Sequence, residues 1–78
     1  MKIISLNELK IGNSATIYSI SNKSTLKRRL EDLGITKGSI IKYEFSSPFK
    51  DPKAYLIKGC TIAIRDDDSK YIMVIIDD

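Results

Sequence analysis

Three consecutive aspartates, Asp66-Asp67-Asp68, are the most chemical-looking run in this 78-residue chain, because clustered carboxylates bind hard divalent cations. As a calcium loop starting at Asp66 the run fails. Its sixth position is Tyr71, where a glycine makes the sharp turn, and its twelfth is Asp77 rather than a bidentate glutamate. Acidic runs ordinarily face water, so the segment reads as a solvated turn, with Asp66, Asp67 and Asp68 kept as a weak metal-binding alternative. Cys60 offers one thiolate, but the chain has no second Cys and no His to complete a soft-ligand site. The absence of His also removes the commonest general base. No Ser-His-Asp set, phosphate-binding glycine pattern or G-x-S-x-G turn occurs. These residues point to no enzyme, no cofactor and no firm metal site.

Two other features suit recognition rather than catalysis. Phe49 sits between Pro48 and Lys50 in the loop Ser47-Pro48-Phe49-Lys50-Asp51-Pro52, and an aromatic on a loop stiffened by two prolines resembles a docking element. Lys27-Arg28-Arg29 is a local basic cluster on the best helix candidate. Residues 1–65 hold twelve Lys/Arg against five Asp/Glu, a balance of +7, while residues 66–78 carry −4. A basic body raises the question of nucleic acid, but no aromatic is interleaved with the cluster, so no nucleic-acid partner is expected. Arg28, Arg29, Pro48, Phe49, Asp51 and Pro52 are therefore the candidate partner-binding residues. Arg29 has a rival role, its stem packing over the helix and its head bonding a barrel carbonyl.

The elements that must hold these residues are legible in outline. Seventy-eight residues allow one domain, 1–78, with no linker or repeat. The longest apolar stretch, residues 71–76, is far short of the roughly 20 residues that span a bilayer, so no direct membrane insertion is expected. The N-terminus lacks a signal-peptide pattern, which with the solitary Cys points to a cytoplasmic protein. Ser5-Leu6-Asn7-Glu8 has capping-box spacing over a single turn, and Ala15–Ile20 alternates as a strand. One helix is expected between Ser24 and Leu33. Its stripe is Leu26, Leu30 and Leu33, its caps Ser21, Asn22 or Ser24, and its stop Gly34-Ile35. Lys27–Glu31 and Arg28–Asp32 are spaced as i, i+4 pairs. Ile41, Tyr43 and Phe45 then mark the dry face of a strand. Further strands are expected at 54–58, 61–65 and 71–76, with Gly59-Cys60 a tight turn. About five strands and one short α-helix make a mainly β chain, a small closed β-barrel whose closure hides its edges.

Taken in order, Leu6-Asn7-Glu8-Leu9-Lys10-Ile11-Gly12, the run from Arg29 to Gly38, the loop 47–52, Ile62-Ala63-Ile64-Arg65 and Ile72-Met73-Val74 resemble the FeoA family over nearly the whole chain. The resemblance implies an SH3-like β-barrel and an accessory, non-enzymatic role in ferrous iron uptake. Its partner would be a cytoplasmic part of the FeoB GTPase-transporter, whose uptake it would modulate; an oligomer is compatible with the sequence. The alternative is a divalent transition-metal sensor or regulatory domain, like the SH3-like domain of iron-dependent repressors. Two residues depart from the family pattern. Lys50 stands where the loop usually reads G-D-P, and Ser69 stands where the acidic turn usually leads into an alanine.

Overall fold

Alternating apolar and polar residues build six antiparallel strands, one more than the sequence pattern suggests. The computed structural model describes residues 1–23 and 25–77, so Ser24, expected at the helix start, and Asp78 lie outside the described residues. The elements are β1 (Lys2–Ser5), a 3₁₀ turn (Leu6–Glu8), β2 (Ser14–Ile20), α1 (Leu26–Asp32), β3 (Ile40–Ser46), β4 (Lys53–Ile57), β5 (Cys60–Ile64), α2 (Asp66–Ser69) and β6 (Ile72–Ile76). The additional strand is β1: four residues, Lys-Ile-Ile-Ser, show no period of two, and they become a strand by pairing with β6. Where the sequence suggests an acidic turn, residues 66–69 wind into the single helical turn of α2. Cys60 is the exposed first residue of β5 rather than part of the turn before it.

The strand order is β1-β6-β2-β3-β4-β5. The last strand therefore lies between the first two, and the order has two ends, β1 and β5. Complete closure of strand edges, expected from the sequence, is replaced by α2 lying against the turn that follows β1. Two bulges bend the sheet around its core, because an extra residue on one strand increases local twist. One lies on β2 between Ile17 and Ser19 and turns Tyr18 outward. The other lies on β3: Tyr43 faces Tyr55 but Phe45 faces Ala54. Glu44 is the extra residue, and Phe45 is 58% exposed instead of continuing the dry face of Ile41 and Tyr43.

The core gathers Leu6, Ile17, Leu30, Ile35, Ile41, Tyr55, Ile57, Ile64, Ile72 and Val74, all essentially without exposure. Each such aliphatic side chain contributes roughly 1.5–3 kcal/mol of burial. Leu26 and Leu30 carry the helical stripe into this core, whereas Leu33 is 52% exposed. The reason is the helix stop. Ile35 N–H donates to Leu30 O at 2.8 Å, Gly34 N–H donates to Glu31 O at 2.9 Å, and Gly34 adopts φ +79°. This Schellman arrangement swings Ile35 against Leu30, filling the place a third helical leucine would take. At the far end of β4 the two-residue turn Lys58-Gly59 has φ of 50° and 78°, the left-handed pair a tight hairpin requires. Lys58 Nζ donates to Gly34 O at 2.6 Å, which ties the end of α1 to the β4–β5 turn.

Candidate functional site

The loop between β3 and β4 is built by its own polar groups. Ser47 Oγ donates to Asp51 O at 2.8 Å, Lys50 N–H to Ser47 O at 2.8 Å, and Ser47 N–H to Pro52 O at 3.2 Å. The Asp51–Pro52 peptide is cis, and Lys50 sits at φ 65°. Glycine enters that region without steric cost; Lys50 enters it at a cost of roughly 1–2 kcal/mol. Asp51 is not free in solvent: its Oδ1 accepts the backbone N–H of Asp66 at 3.0 Å, supplying an acceptor to the first turn of α2. Phe49, by contrast, is 90% exposed, and Pro48 beside it is exposed too.

The acidic run is divided by this arrangement. Asp66 lies 3.1 Å from Lys53 Nζ, and its backbone carbonyl accepts the hydroxyl of the buried Ser69 at 3.2 Å. Asp67 is exposed and Asp68 half-buried. Among the described residues no group of three or more His, Cys, Asp or Glu side chains is placed to hold a metal ion. Among the described residues the buried Tyr55 hydroxyl has no hydrogen-bond partner. Burial, and then the nearby charges of Asp66, Tyr43 and Asp51, hold its phenol above the usual tyrosine range.

Arg28 and Arg29 are both exposed on α1. Among the described residues Arg29 bonds no barrel carbonyl, and the ion pairs are Lys42–Glu44 and Lys53–Asp66 rather than i, i+4 pairs on the helix. Lys27 Nζ instead donates to Asn22 Oδ1 at 2.5 Å. The link from Lys58 to Gly34 puts α1 at the β4–β5 turn, whereas Pro48, Phe49, Asp51 and Pro52 precede the start of β4. A five-residue strand, roughly 15 Å, separates the two groups. The sequence-predicted set is thus two patches at opposite ends of the barrel.

The loop end also holds a groove of about 670 Å³ that the sequence does not announce. Lys10 and Ile11 enter it from the segment after the 3₁₀ turn, Tyr43 and Ser46 from β3, and Lys50, Lys53 and Asp66 from the far side. Gly12 N–H donates to Tyr43 O at 2.7 Å and Tyr43 N–H to Asn13 O at 3.0 Å, which seats that segment beside β3. Positions so far apart in the chain meet only after four strands have paired. The one local signal is Ile11, an apolar residue placed directly before a turn glycine and 59% exposed. The opposite end has a smaller hollow between β2 and α1, where Lys27 and Lys37 are mixed with Glu31 and Lys37 lies 5.1 Å above the Tyr18 ring.

With this geometry in view, the comparisons with known proteins are decisive for the family. The model of the FeoA domain matches residues 4–76. The chain belongs to the FeoA family. A FeoA-like protein from Clostridium acetobutylicum is 32% identical, with a TM-score of 0.84 over 97% of this chain and 88% of that one. FeoA from Stenotrophomonas maltophilia, solved with zinc and described as an SH3 domain protein, is 25% identical, with a TM-score of 0.76 over 91% of this chain and 88% of that one. A manganese-dependent transcriptional repressor has a TM-score of 0.81 at 20% identity, covering 94% of this chain and 36% of that one, a likeness of fold alone. Among curated proteins, an Fe(2+) transport protein A/Fe(2+) transporter FeoB fusion protein from Porphyromonas gingivalis is 28% identical over 88% of this chain. The match spans only 8% of that fusion's length. The SH3 fold described for the Stenotrophomonas protein agrees with the barrel described above.

Proposed function

We propose that this protein is a cytoplasmic, non-catalytic accessory of ferrous iron uptake that binds a cytoplasmic part of a FeoB-type transporter and modulates it. The observation that carries this reading is the fusion protein, in which a segment related to this chain shares one polypeptide with the transporter. Covalent joining keeps two modules at high effective concentration, an arrangement that suits modules working on each other. The docking surface is assigned to the tip Pro48-Phe49, shaped by Asp51 and Pro52, with Arg28 and Arg29 as a second patch at the other end.

Pull-down against the cytoplasmic region of the FeoB-type transporter from the same genome tests the reading, with Phe49→Ala and Arg28→Ala beside the parent. Phe49 supports no core, so its removal leaves the fold intact and is expected to weaken binding at least about tenfold, as loss of an aromatic anchor does. Absence of binding by the parent chain would overturn the proposal. In this reading the protein needs no metal of its own, because Asp66 is engaged by Lys53. Calorimetric titration with ferrous ion checks this, and substantial heat lost in Asp67→Asn/Asp68→Asn would move the assignment to a metal sensor.

A further inference from the structure

The groove at the loop end has a charge pattern that its neighbours do not cancel. Three lysines line it, and its one carboxylate, Asp66, is already paired with Lys53 at 3.1 Å. Among the described residues Lys10 and Lys50 have no ion-pair partner. Ile11, 59% exposed, adds apolar surface to the same groove. Lys50 is held toward this side by a loop whose backbone is fixed by three hydrogen bonds and by Asp51 on α2.

The geometry points to this groove as the seat of an acidic peptide segment of the protein partner, with carboxylates meeting Lys10 and Lys50 and apolar side chains meeting Ile11. The inference rests on the functional reading above and names the chemistry of the partner's contact. A peptide fits better than a nucleic-acid strand, because Tyr43 is only 7% exposed and offers no ring face for a base to stack on. It also fits better than a small anion, since Lys53 is already paired with Asp66 and the exposed Ile11 gives the groove apolar surface that a small anion would not use.

The test is binding of the transporter's cytoplasmic region, measured by fluorescence anisotropy in about 50 and 300 mM salt, which changes the screening of exposed charges severalfold. Lys10→Glu/Lys50→Glu is compared with the neutral pair Lys10→Gln/Lys50→Gln and with Lys37→Glu in the hollow at the opposite end, after thermal unfolding shows each to be folded. Expected is at least a roughly tenfold loss for the groove reversal and a smaller loss for the neutral pair. The distal reversal, on the side of the second patch, should cost clearly less than the groove reversal, and salt should weaken the parent more than the neutral pair. Parent-like binding by Lys10→Glu/Lys50→Glu, or an equal loss in the distal reversal, overturns the groove while leaving the functional reading standing. No binding by the parent overturns both.

Discussion

Among the described residues the buried Tyr55 hydroxyl has no hydrogen-bond partner, a situation that ordinarily costs about 1–3 kcal/mol. Tyr55→Phe is therefore expected to keep or raise stability, by up to roughly 1 kcal/mol in urea unfolding. The same residue sets an alkaline signature. Burial above all, then Asp66, Tyr43 and Asp51, lifts its titration in the folded chain above the ordinary value of 10.0. The fold thus favours the neutral phenol. That contribution is complete below about pH 10 and is lost as pH rises beyond it toward the folded titration. Unfolding midpoints followed upward from about pH 9 should fall less steeply in Tyr55→Phe than in the parent. Lys50 makes a second case. Lys50→Gly relieves a left-handed backbone at the expense of a freer unfolded chain, so stability should stay level or rise by up to about 1 kcal/mol. Binding should fall at the same time, and a drop in stability instead would contradict the backbone argument.

At the scale of elements, α1 separates what a pattern can and cannot announce. The stop signal Gly34-Ile35 is legible because only glycine tolerates the backbone that follows the last turn. That the stop would bury Ile35 and expel Leu33 is not, since i, i+4, i+7 spacing describes an unbroken helix. The consequence is measurable. Leu30→Ala should cost about 2–5 kcal/mol and Leu33→Ala within about 0.5 kcal/mol, by chemical unfolding of both variants. Gly34→Ala meets no atom closer than Lys58 Nζ at 4.0 Å, so its expected loss of about 1–2 kcal/mol is conformational rather than steric. In β3 the period of two is readable as far as Tyr43 and fails at Phe45. A bulge adds one residue without any residue type that marks it, and every later side chain changes face. The D-P loop reads as a loop, yet Asp51 bonds across to α2, a partner fifteen positions away that no local motif names.

For the whole molecule, topology dominates. Barrel class and the helix α1 follow from strand alternation and a single leucine stripe, but the place of β6 between β1 and β2 does not, because both neighbours are remote in sequence. That order delays closure of the sheet until the last strand arrives. Refolding by stopped flow is accordingly expected in the millisecond-to-second range typical of small β-barrels, and a dominant microsecond phase would contradict it. The same topology keeps the two basic ends apart. Arg28→Ala and Lys50→Glu share no partner, so their effects on stability should add within about 0.5 kcal/mol in a double-mutant cycle. Lys2 faces Ile76 in the β1–β6 ladder. The outer ends of the first and last strands are therefore side by side, and tension applied between them would load one pair of residues at a time instead of sharing the pull. Held between two anchors, this barrel would peel open from that seam at modest force and serve as an extensible joint rather than a rigid strut.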